Sequence, residues 1–157
     1  MINLNTHFRF TKLILFICLI SFHSIMLTSS SNLDKLSVPD GFEISIYADN
    51  IDTPRQITES DAGNIFVGSR SAGTISVIDT NGSVRVIAED LSNSTGVTYH
   101  NGDLYFSEVN SIWKISNIDK KISNIGTKLL DFEKELVTNN LPSDTWHGWK
   151  WIDFGPD

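Results

Sequence analysis

The chain has 157 residues, 12 basic against 19 acidic side chains, a formal net charge of −7 and a single cysteine. An acidic chain without basic runs is a poor candidate for gripping nucleic acid, because phosphate neutralisation supplies most of that affinity. One cysteine excludes an internal disulfide framework, and the length allows one modest domain or part of a larger one.

In chain order, Arg9 and Lys12 come first, followed by the apolar run "LILFICLI" (Leu13 to Ile20), a less pure continuation to Leu27 and the small polar residues Thr28 to Ser31. A basic start, a short apolar core and small residues together predict a secretory signal peptide over residues 1–31, and hence export to the periplasm or the extracellular space. The run is shorter than the roughly 20 apolar residues a membrane crossing needs, and it contains His23, so an uncleaved anchor is the lesser alternative. Cys18 lies inside the run without a lipobox before it. Residues 1–31 carry two basic side chains and no acidic one, which leaves the exported segment a formal charge of −9.

From Phe42 onward the chain reads as short strands separated by Gly, Asn, Asp and Ser. "FEISIY" alternates, with Phe42, Ile44 and Ile46 on one face. "NIFVGS", "TISVID", "VRVIAE", "LYFSEV" and "SIWKIS" are further β-rich runs, and "TKLLDFEKEL" (Thr127 to Leu136) is the one stretch of ambiguous period. The segments beginning at Ala48 and Ala88 resemble each other at an offset of 40 residues. Each has an apolar-polar run (Ile57, Val97), a Gly-centred turn (Gly63, Gly102), an aromatic strand (Phe66, Tyr105) and a further strand (Ile75, Ile112). A third copy begins near Leu130 and reaches its first strand at "WKWIDF" and its turn at "GPD".

A period near 40 with about four short strands per unit is the signature of a β-propeller blade, and recurrence of the whole strand-turn order favours it over an antiparallel sandwich. The expected fold is therefore an all-β propeller of which residues 38–157 supply about two and a half blades, the N-terminal portion of a longer protein.

The loop before a blade's innermost strand opens onto the mouth of the central channel. In the third repeat that loop holds His147 among Trp146, Trp149 and Trp151; Asn93 to Thr95 and Arg55-Gln56 hold it in the other two. Imidazole suits a proton acceptor at ordinary pH, and tryptophans make flat apolar walls for a ring-shaped ligand. Tryptophans that pack between blades and a histidine that ties neighbouring blades are the ordinary structural roles for the same residues. Arg70, at the end of "IFVGSR", is expected to pair with an acidic neighbour. Asn81-Gly-Ser83 and Asn93-Ser-Thr95 match glycosylation sequons and are assigned no role.

The ordered series "GFEISIYADNIDTPRQ", "GNIFVGSRSAGTISVID", "TGVTYHNGDLYFSEVNSIWKI" and "LPSDTWHGWKWIDFGPD" resembles the start of the glucose/sorbosone dehydrogenase family, most of all its sorbosone dehydrogenase branch. That resemblance implies a six-bladed propeller, a pyrroloquinoline quinone (PQQ) cofactor and a nearby calcium, with ligands beyond the residues present. It also implies an oxidoreductase passing hydride from a sugar, polyol or sugar aldehyde to the quinone, and onward to an acceptor such as a cytochrome or another quinone. In that reading His147 is the catalytic base and Trp149 binds substrate, while this chain alone is inactive. The loop "EDLSNSTG" lacks the glutamine found there in soluble glucose dehydrogenases, and Trp146 replaces an acidic residue. Two rival functions remain: a hydrolase resembling the gluconolactonases, for which the mouth loops offer Asn93 but no well-placed carboxylate, and a non-catalytic binding propeller.

Overall fold

The computed structural model describes residues 32–124 and 132–156. The expected signal peptide, residues 1–31, lies outside them, as does the first half of "TKLLDFEKEL". The chain divides into two compact units, Met1–Ser45 and Ile46–Asp157. In the first, a short 3-10 turn at Asn32–Lys35 precedes a tight turn in which Phe42 N–H donates to the Pro39 carbonyl (3.1 Å).

The second unit holds two four-stranded antiparallel sheets. The first runs β1 (Pro54–Glu59), β2 (Ile65–Ser69), β3 (Ile75–Ile78) and β4 (Val84–Ala88), each strand beside the next. The second repeats that order with β5 (Val97–His100), β6 (Asp103–Ser107), β7 (Ile112–Ile115) and β8 (Glu135–Thr138). Consecutive four-stranded meanders are what the 40-residue repeat predicts, and they make the fold an all-β propeller with two complete blades described. The likeness extends to the irregularities. The third and fourth strands of each blade shift register at the repeat-equivalent residues Ile75 and Ile112.

The blades pack face to face, with β1 and β2 lying against β5. Strands β2 and β3 are buried almost throughout, so they lack the in-out alternation of a half-exposed sheet. Phe66, Ile75, Val77 and Ile87 of the first blade share one core with Val97, Leu104, Phe106 and Ile115 of the second. Close approach has a residue-level cause. A β-carbon on Gly68 would sit 2.3 Å from the Thr95 carbonyl oxygen. The repeat-equivalent Ser107 uses its hydroxyl instead, donating to the Lys150 carbonyl (2.9 Å) of the third repeat.

Three expectations change. "FEISIY" forms no ladder: Phe42, Ile44, Ile46 and Tyr47 are exposed, and an alternating pattern makes a strand only beside a partner edge. A short helix, α1 (Ile118–Ser123), was not expected; its buried pair Ile118 and Ile122, four apart, is too brief to register as a helical period. The ambiguous stretch contributes β8 over its last residues.

Candidate functional site

Strands β1, β3, β5 and β7 begin, and β2, β4, β6 and β8 end, on one side of the sheets, so their loops gather there. Backbone bonds sew these loops together: Arg70 N–H to the Thr53 carbonyl (3.1 Å), Leu91 to Gly73 (2.9 Å), Val109 to Ser92 (3.1 Å) and Leu141 to Asn110 (3.2 Å). Glu108 adds a side-chain clamp, accepting from Ser92 N–H (2.7 Å) and from the Trp113 indole (2.6 Å).

The third repeat's "WKWIDF" runs extended along this assembly but is held by side chains, without a strand ladder. Gln56 Nε2 donates to the Ile152 carbonyl (2.8 Å), Thr98 Oγ1 donates to Asp153 (3.0 Å), and Phe154 stacks on His100 at 4.1 Å. Gly96 carries no side chain, and a β-carbon there would meet the Lys150 carbonyl at 2.4 Å. These contacts fix where the preceding residues, 146–149, emerge.

His147 sits in the left-handed backbone region (φ 57°), exposed, and Gly148 after it is pressed against the Asp144 carbonyl. The turn presents a continuous stack. Trp146, 84% exposed, meets His147 edge to face at 5.0 Å, and His147 lies tilted over Trp149 at 5.1 Å. Arg70 from the first blade lies over the Trp149 ring, its guanidinium carbon 4.0 Å from the centroid. The structure therefore brings His147 and Trp149 together as expected. Arg70 departs from expectation: it stacks on Trp149 and pairs with no carboxylate among the described residues. Its position just past a strand end, on the loop side, was the available signal. Of the other residues expected in mouth loops, Ser94 and Thr95 are buried before β5, whereas Arg55 and Gln56 lie within β1, with Arg55 exposed.

Sequence reasoning also missed Lys150. Its ammonium group donates to the carbonyls of Gly148 and Pro142 and to no carboxylate among the described residues. The hydroxyls of Ser94 and Thr95, both at most 1% exposed, have no hydrogen-bond partner among the described residues. Nor does the His147 ring make a hydrogen bond among them, so no described group orients it as a base.

At the opposite end of the sheets a cleft of about 660 Å³ lies between the Asp79–Ser83 turn and α1. Its Asp119 is committed structurally, accepting from Ser60 Oγ (2.6 Å), Asn64 Nδ2 (2.8 Å) and the Tyr99 hydroxyl (3.4 Å). Burial first, then the hydrogen bond to Asp61 and the charge of Asp119, push the Tyr99 phenol above its usual 10.0. This end ties the blades together; the basic-aromatic stack is the better candidate site. No group of three or more His, Cys, Asp or Glu side chains among the described residues is placed to hold a metal ion.

Fold and site thus define the class: a β-propeller with an aromatic, basic loop face. No family model matches the chain. It is 36% identical over 121 residues to a Borreliella burgdorferi protein named "Uncharacterized protein", a match that takes in 76% of the chain and 30% of that relative's length. Solved structures similar to it are a virginiamycin B lyase from Staphylococcus aureus (28% identity, TM-score 0.40) and a streptogramin B lyase (24% identity, TM-score 0.39). The alignments cover 44% and 49% of this chain, and 26% of each lyase. The resemblance to glucose/sorbosone dehydrogenases is corrected by these findings: the two structures named are a virginiamycin B lyase and a streptogramin B lyase, and no family model matches. The oxidoreductase, sorbosone and PQQ expectations are withdrawn with it. Calcium was implied by the same resemblance alone and is carried no further.

Proposed function

We propose that this chain is an exported β-propeller module that binds a small ring-shaped molecule, a sugar or related polyol, on its loop face. The observation that carries the reading is the Arg70–Trp149–His147–Trp146 series, in which a basic group from the first blade lies over Trp149 and three rings of the third repeat touch in turn. The exposed rings of Trp146 and His147 and the half-buried Trp149, beside a guanidinium, suit a ligand with an apolar ring face and polar edges. Export rests on the basic-apolar-small order of residues 1–31. Titrating glucose and other neutral monosaccharides into the protein, followed by tryptophan fluorescence, tests it. Expected is saturable quenching, weakened at least about tenfold by Trp149→Ala, the order of losing one stacked ring. Unchanged affinity in that variant would overturn the assignment.

A second reading, hydrolase or lyase chemistry with His147 as the proton acceptor, is favoured by its exposed ring and its left-handed backbone, a conformation that concentrates at functional sites. In that case His147→Ala lowers turnover ~10²–10⁴-fold while binding holds.

A further inference from the structure

We infer that the ligand of this face is an acidic sugar, one whose ring carries a carboxylate or phosphate; the inference rests on the sugar-binding reading above. The chain is acidic overall, with a formal net charge of −7. Yet two cations flank Trp149, Arg70 over its ring and Lys150 next in sequence, and neither pairs with a carboxylate among the described residues. A protein with excess carboxylates that leaves a half-buried guanidinium without one keeps a local site for an anion.

Geometry sharpens this. The Arg70 guanidinium carbon sits 4.0 Å from the Trp149 ring centroid, and its fork of N–H donors pairs with no carboxylate among the described residues. That fork matches the paired oxygens of a carboxylate or phosphate, and stacking has already ordered it. The stretch Ser94–Thr95–Gly96 runs between β2 and the extended segment 149–154, with Gly68 against the Thr95 carbonyl on one side and the Lys150 carbonyl against Gly96 on the other. It carries the two buried hydroxyls that have no partner among the described residues. The sugar ring then faces Trp149 and Trp146, and its acidic group faces Arg70.

The test is calorimetric titration of the protein with D-glucose, D-glucuronate and D-glucose 6-phosphate at low and high salt. Expected is binding of at least one anionic sugar about tenfold tighter than glucose, the order of one added charge-assisted hydrogen bond. That preference should shrink as salt rises. Arg70→Gln should abolish the preference for the anionic sugar over glucose, whereas Arg70→Lys retains part of it. Circular dichroism confirms that each variant folds. Which anionic sugar binds more tightly assigns the acidic group to carboxylate or phosphate. Equal affinity of the wild type for all three sugars overturns this inference and leaves sugar binding standing. Absence of binding by all three, or full affinity in Trp149→Ala, overturns the binding reading itself.

Discussion

A carbonyl oxygen occupies the space a side chain at residue 68 would need, and that fact makes Gly68 a position of fold rather than of turn chemistry. Its obstacle is backbone, 2.3 Å away on the neighbouring blade, so it cannot rotate aside. Gly68→Ala is expected to destabilise by ~1–3 kcal/mol through overpacking, read as a shift in the urea midpoint. Asp119 is the second such residue. Truncation to Ala strips an acceptor from Ser60, Asn64 and Tyr99 at once, and a loss of about 1–3 kcal/mol is expected, with Asp119→Asn milder. Tyr99 gives the same contact a pH signature. Its phenol is raised above 10.0 in the folded state, so the stability it contributes is fully present below pH 10 and is lost as pH rises through the folded value. Ultraviolet titration of the wild type should show a phenolate step above pH 10 that is absent from Tyr99→Phe.

At the scale of elements, the segment 144–154 joins fold to site. Its far half is fastened by Gln56, Ser107 and Thr98, each from a strand of a complete blade, and its near half turns at His147-Gly148 to present the rings. A β-carbon at Gly148 would collide with the Asp144 carbonyl. Gly148→Ala should therefore displace the turn, weaken sugar binding about tenfold or more and leave the thermal midpoint within a few degrees, because the blade core is untouched. A parallel loss of midpoint would place this turn in the core rather than at the site. Much of this scale was legible beforehand. Strand runs, Gly-centred turns and the 40-residue offset all follow from local side-chain alternation and turn chemistry. What escaped were α1, too short to show a period, and the extended segments 42–47 and 149–154, which carry a strand pattern without a paired edge.

For the molecule as a whole, the second unit keeps apolar surface uncovered. Trp151, Phe154, Leu136 and Val137 are all exposed, and a groove of about 410 Å³ runs between the second blade's face and residues 151–154. Exposed apolar faces and unpaired extended segments favour self-association. The isolated chain is expected to associate as its concentration rises, read by sedimentation velocity, and Trp151→Ser with Phe154→Ser should reduce the effect. A sharp monomeric boundary at all concentrations would contradict this.

The sequence by itself determined the repeat, the four-strand order within it and the crowding of rings around His147, because periodicity, turn residues and local composition are properties of neighbours along the chain. Resemblance of motifs did not determine the chemistry, and the dehydrogenase expectation failed where fold and function part company. Only the tertiary structure decided that Arg70 lies on Trp149, that Lys150 remains without a carboxylate among the described residues, and that Ser94 and Thr95 are buried. The Arg70–Trp149 contact joins residues far apart in the chain, and only the packing of one repeat on another brings them together.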